Sequence, residues 1–145
     1  YQGKEIGLSD WFHMSQDKIN TFADLTEDSQ WIHLDAKRAA EESPYKKTIA
    51  HGFLVLSYAS QITFRTMKLN NIKLAINYGL DKVRFPNATP SDSYFRGRVS
   101  LIESEEIPGG AKYKLKIVFE VKGETKPVCV AETLSLVYFD SEEKT

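Results

Sequence analysis

Residues 49–67 read IAHGFLVLSYASQITFRTM, and the fold turns on how this stretch is read. It opens on His51-Gly52 and then supplies Phe53, Leu54, Val55, Leu56, Tyr58, Ala59, Ile62, Phe64 and Met67. These apolar residues do not make one narrow stripe. They go most of the way round a helix, and such a helix is normally buried. At about 1.5 Å per residue the helix would be roughly 25 Å long, about the width of a small domain. It is too short, and with Gln61, Arg65 and Lys68 too polar at its end, to span a membrane. The stretch therefore predicts a long helix enclosed by the rest of the chain.

Downstream of Lys68 the period changes to two. Ile72, Leu74, Ile76 and Tyr78 alternate with Lys73, Ala75 and Asn77, which predicts a strand, with Gly79 marking a bulge or bend. Residues 83–85 form a short extended piece, and 86–90 a turn. A second long strand covers 94–102, with Phe95, Val99 and Leu101 on one face. Pro108-Gly109-Gly110 is a turn signal. Tyr113, Leu115, Ile117, Phe119 and Val121 then alternate with Lys112, Lys114, Lys116, Val118 and Glu120, the cleanest strand in the chain. The Lys112, Lys114, Lys116 row reads as its solvated face. A last strand covers 128–138, and 140–145 read as a frayed polar tail.

Upstream lie helices. Ser15 is a candidate N-cap for a helix over 16–25, with Ile19, Phe22 and Ala23 at i, i+3, i+4 facing inward. Thr26-Glu27-Asp28-Ser29 breaks it. Residues 30–33 make a tight connection, and Asp35 caps a short helix over 36–42 that Ser43-Pro44 stops. A short strand is expected near Trp11-Phe12. Helices first and then an antiparallel meander give an α+β fold, one curled sheet around one long helix, with 1–145 as a single domain. The uncovered face and edges of such a sheet are commonly closed by a second subunit.

The totals narrow the function classes. The chain has 145 residues, 19 basic and 20 acidic side chains and a net charge of -1. This argues against nucleic acid, whose phosphates call for a basic excess. The one cysteine, Cys129, allows no internal disulfide, lies mid-strand as a core thiol, and suggests a reducing compartment. No secretory leader pattern is visible at the start, so a cytoplasmic location is expected, with no membrane partner.

Asp28 and His33 stand out as a pair. On one continuous helix a spacing of five sets side chains roughly 140° apart. In a loop turning into a short helix they can converge, in a pocket walled by Trp31 and Ile32. A carboxylate beside an imidazole can handle a water molecule. The plainer use of the same spacing is that Asp28 caps a helix and His33 is half-buried. His51-Gly52 is the second candidate. Amides at a helix start lack partners and favour negative charge, and glycine lets a carbonyl approach the backbone, as an oxyanion site requires. The plainer use is a glycine kept for packing. His13, His33 and His51 have no metal-ligand spacing, so no metal is expected. Lys82 and Arg84 could meet an anionic ligand, though loop charges are more often merely solvated.

The stretch FADLTEDSQWIHLD at 22–35, followed by TIAHGFL at 48–54, resembles the MaoC-like dehydratases, the (R)-specific enoyl-CoA hydratases. The Gln-Trp-Ile-His version is most similar to the nodulation-protein-N-like branch. Asn77-Tyr78-Gly79-Leu80, residues 82–86 (KVRFP) and residues 126–132 (KPVCVAE) resemble it too, so the likeness covers nearly the whole chain. The resemblance implies a hot-dog fold and a homodimer. It implies hydration of a trans-2-enoyl thioester, on CoA or an acyl-carrier protein, to the (R)-3-hydroxyacyl thioester, with no cofactor beyond the CoA of the substrate. It implies that Asp28 and His33 are catalytic, that Gly52 N–H with His51 binds the thioester oxygen, that Ser60 supports the site, and that Lys82 and Arg84 contact CoA. One position departs from the family pattern: Glu27 stands where the family has Gly before the Asp. If the backbone there has positive φ, Glu costs about 1 kcal/mol. A non-catalytic acyl-thioester-binding protein and a thioesterase are the rival functions.

Overall fold

The computed structural model describes residues 2–140. In chain order it has β1 (Lys4–Leu8), β2 (Phe12–Met14), α1 (Gln16–Thr26), α2 (Trp31–Leu34), α3 (Ala36–Glu42), α4 (Gly52–Ser57), α5 (Ala59–Thr66), β3 (Ile72–Arg84), β4 (Ser93–Ile107), β5 (Gly110–Val121) and β6 (Cys129–Phe139). All strand pairs are antiparallel, in the order β1-β4-β5-β6-β3, with β2 also on β4. The period-two segments thus become strands whose inner faces meet the helices. Phe95, Val99, Leu115, Ile117 and Phe119 are fully buried there, each such side chain contributing about 1.5–3 kcal/mol by leaving water.

Four expectations need correction. The sheet is not a plain meander. β4, β5 and β6 are one, but β3 crosses to the far edge and pairs with β6. Nor is β3 cut before 83: it runs on through Arg84, bent at three register shifts, one of them at Gly79. The long helix is broken at Tyr58, whose N–H reaches back to Val55 O at 3.1 Å, a tightened 3₁₀-type turn. The Tyr58 ring is anchored against Phe12 and Phe95. The helical pair is also not enclosed. Leu54, Val55 and Ile62 face the sheet, while Phe53 is 69% and Phe64 74% exposed. Where α5 meets β4, Gly97 permits the contact: a Cβ there would lie 2.8 Å from Ile62 Cδ1.

The caps follow the sequence reading. Ser15 accepts from Lys18 N, and Asp35 from Arg38 N. Residues 30–33 hold the short helix α2 rather than a bare connection. The lysine row is partly covered: Lys114 Nζ lies 2.8 Å from Asp81 and 3.4 Å from Glu132. Cys129 is buried, which pushes its thiol up to about 12. Of the expected frayed tail, Asp140 is held by its N–H to Asn71 O, and 141–145 lie outside the described residues. Among the described residues no helix is long and apolar enough to cross a membrane.

Candidate active site

The connection from β3 to β4 folds over the start of α4. Ala50 N donates to Thr89 O, Ser91 N donates to Thr48 O, and Ile49 bridges Pro90. Inside, the buried Thr48 hydroxyl hydrogen-bonds to Gln16 Oε1 at 2.6 Å and shares a bond with Ser91 at 2.9 Å. Gln16 Nε2 in turn donates to His33 O. The start of α1, the end of α2 and the approach to α4 are thereby tied into one frame.

Asp28, His33 and His51 converge in that frame. α1 ends with Glu27 in the left-handed region, φ 62°, and both Glu27 N–H and Asp28 N–H turn back onto Ala23 O. The condition raised for Glu27 from the sequence is met: the backbone there has positive φ, the conformation in which a side chain carries a cost. Asp28 caps neither helix: it lies past the end of α1, and Gln30 is the cap residue of α2. Its side chain is 55% exposed rather than enclosed by Trp31 and Ile32. Trp31 instead stacks under the Arg38 guanidinium at 4.3 Å.

His33 and His51 are both buried, with rings stacked at 3.8 Å and 23°. Each is fixed by a backbone carbonyl. His33 Nδ1 lies 2.8 Å from Ile49 O, and His51 Nε2 lies 3.0 Å from Asp28 O. A carbonyl only accepts, so those nitrogens carry the protons and His33 Nε2 keeps its lone pair. His51 Nδ1 is left buried without a partner. Phe22 covers the His51 ring at 4.9 Å. Burial holds the His33 imidazole below its ordinary 6.5, and the stacked His51 pushes the same way. The Ile49 carbonyl and the Asp28 carboxylate act in the opposite direction.

One ligand atom from each of Asp28, His33 and His51 lies within 4.8 Å of the others. Two donors on one tetrahedral ion sit closer, about 3.3 Å apart for bonds near 2.0 Å. The two ring planes are 23° apart, so the imidazole lone pairs lie in nearly parallel planes. The donor set suits two oriented bases better than a chelate.

Gly52 begins α4 one residue beyond His51. A Cβ on it would come within 3.0 Å of the Phe85 ring, so the missing side chain is used for close aromatic packing. Its amide stands at the helix start, where the first N–H groups lack intrahelical acceptors. Ser60 is not brought to this cluster. It lies on α5, where it accepts from Asn77 Nδ2 at 3.0 Å across a groove to β3. Lys82 and Arg84 are exposed near the end of β3, with Arg84 bonded to the adjacent Val83 O. The stacking of His51 on His33 carried no sequence signal, because it arises from two carbonyls 21 residues apart in the chain, those of Asp28 and Ile49.

The chain is similar to known proteins over most of its length. It is 43% identical over 133 residues to 3-hydroxyacyl-thioester dehydratase Z of Mycobacterium tuberculosis, covering 91% of this chain and 87% of the relative. It is 38% identical over 146 residues to nodulation protein N of Rhizobium leguminosarum bv. viciae, covering 98% and 89%. The fold matches R-hydratase PhaJ1 from Pseudomonas aeruginosa with a TM-score of 0.75 at 19% identity, over 94% of this chain and 84% of that one. Residues 1–118 match the MaoC like domain, and with this coverage and these relatives the chain belongs to the MaoC-like family of hot-dog proteins.

Proposed function

We propose that this protein is an (R)-specific enoyl-thioester hydratase, working reversibly as a 3-hydroxyacyl-thioester dehydratase. The observation that carries the reading is the pair of carbonyl-locked imidazoles, which leave His33 Nε2 as a free acceptor in the same cluster as an accessible Asp28 carboxylate. The names of the relatives support the reaction class.

Water is held between His33 and Asp28. His33 Nε2 takes its proton as the oxygen bonds to the β-carbon of the enoyl group. The π electrons move toward the thioester oxygen, where Gly52 N–H stabilises the enolate. The proton is shared within the Asp28–His33 pair and is returned from Asp28 to the α-carbon. His51 orients the pair. No metal or bound cofactor takes part, and CoA or an acyl-carrier arm enters with the substrate. Lys82 and Arg84, both exposed, meet its phosphates. The acyl chain lies along α4, α5 and the inner sheet.

The working form is a homodimer in the cytoplasm. β3 is a 13-residue edge strand with Leu74, Ile76, Tyr78 and Leu80 exposed, and Phe64 lies exposed on α5. An edge so long and apolar is a hazard unless another chain covers it.

The test follows the enoyl-thioester absorbance after mixing with crotonyl-CoA and with a longer 2-enoyl-CoA. Its decay in the wild type, and persistence with Asp28→Asn, is the expected result. Ligand-induced stabilisation with no decay for either substrate would favour a non-catalytic acyl-thioester binder, the reading that Glu27 in its left-handed position keeps open. Thiol release from a saturated acyl-CoA would mark a thioesterase.

A further inference from the structure

The inner face of β6 runs Cys129, Ala131, Thr133, Ser135, Val137. The first two and the last are ordinary core residues, but two hydroxyls interrupt them. Across the register, Ser135 stands between Tyr113 on β5 and Asn77 on β3. A polar row thus crosses three strands on the face turned toward α5. Asn77 is bonded to Ser60, and Thr63 faces the same space. These six side chains line one groove of about 280 Å³ whose remaining wall is apolar.

Thr133 is the informative member. It is 9% exposed, and its Oγ1 is buried with no hydrogen-bond partner. Buried hydroxyls almost always find a partner, from the protein or from something bound. A valine would fill the same volume without that cost. The groove continues beside Leu56 and Leu80, where Ser60, Asn77 and Thr133 again line it. Ser60 lies about 12 Å from Gly52 along the two helical pieces. A chain whose thioester sits at Gly52 would pass the apolar stretch first and meet the polar row with its outer half.

We propose that this groove selects acyl chains that carry a hydroxyl group on their outer half, and that Thr133 is the specificity-determining residue that bonds it. The proposal rests on the hydratase reading for the nature of the thioester. An unsubstituted alkyl chain would displace water from the polar row and return no hydrogen bond. A hydroxylated chain would both donate to and accept from it. Thr133 lies on β6 in the wall of the groove and acts on which substrate binds.

The test compares trans-2-decenoyl-CoA with analogues bearing one hydroxyl, moved stepwise along the outer half of the chain. At one position kcat/KM exceeds that of the plain chain by roughly five-fold, the size of one net hydrogen bond. Thr133→Val erases the gain and Thr133→Ser keeps it. Preference for the plain chain at every position overturns the proposal, as does a hydroxyl preference that Thr133→Val leaves intact. If none of these thioesters is hydrated, the hydratase reading fails separately. Calorimetric titration of the wild type and Thr133→Val with the same set then reads the groove's preference directly, with the same two outcomes.

Discussion

The frame around Asp28, His33 and His51 and the seam between α5 and β3 are built in opposite ways. In the frame, both imidazoles are buried, and each has one nitrogen locked on a carbonyl. Along the seam, the strand is an edge, its large apolar side chains are exposed, and a buried hydroxyl has no partner. Proton transfer tolerates little positional error, so the frame spends backbone hydrogen bonds on orientation. The seam is left for another molecule to complete. The frame has one unpartnered buried atom of its own, His51 Nδ1, but both of its rings are held by carbonyls, whereas the seam has exposed apolar side chains as well as an unpartnered hydroxyl.

Breaking the frame should have the largest effect. His33→Ala and Asp28→Asn are each expected to lower kcat for enoyl hydration by about 10²–10⁴-fold, the usual contribution of a positioned acid or base. Circular dichroism should show the fold retained. Full activity in both variants would sink the mechanism.

Next comes the orienting residue. His51→Phe keeps a ring beside His33 but loses the N–H to Asp28 O. A drop in kcat of about ten- to a hundred-fold is expected, with KM little changed. The acid limb of the pH profile should also move up slightly: burial, the main cause of the depression, stays, but the smaller contribution of His51 is removed. A pure KM effect would mean that His51 binds substrate instead. In the wild type the same depression couples to stability. His33 is neutral in both folded and unfolded chains above 6.5, and as pH falls below 6.5 the unfolded chain takes up the proton first. Urea midpoints should therefore fall as pH drops through that region, and His33→Gln should flatten the decline.

Breaking the seam is tested by Ile76→Lys on β3. A charge placed in the apolar edge proposed to pair with a second copy should weaken self-association at least ten-fold, read by sedimentation. An unchanged dimer would place the interface elsewhere.

The smallest effect is expected at Glu27. Its φ of 62° favours glycine, and Glu27→Gly should raise stability by about 1 kcal/mol or less, since the added unfolded-state freedom of glycine offsets part of the relief. A loss of stability would show that the Glu27 side chain makes a useful contact.

Much of this contrast was readable from the chain. Period-two runs marked β3 and β5, and apolar residues on one face marked β4, because successive side chains of a strand point to opposite sides. Ser15 and Asp35 were legible as caps because their chemistry is local. The Thr-Glu-Asp departure raised the question of a left-handed Glu27 without answering it. The crossover of β3 was hidden, since strand order depends on contacts far apart in sequence. The break at Tyr58 was hidden as well, because it is set by where its ring meets Phe12 and Phe95. The separation of Ser60 from the histidines followed from a straight count along the helix but not from the motif. Thr133 did leave a trace: with Ser135 it puts two adjacent hydroxyl positions into the apolar face of the last strand.

The β3–β4 connection has a kinetic consequence. His33 is oriented by Ile49 O, and the segment holding Ile49 is pinned by Thr89, Pro90 and Ser91. Those contacts bridge roughly forty residues, and long closures of this kind tend to form late. During refolding, helical signal should return before enzymatic competence does. A chain caught between the two would have its helices and yet lack an oriented base, which would keep partly folded molecules chemically silent.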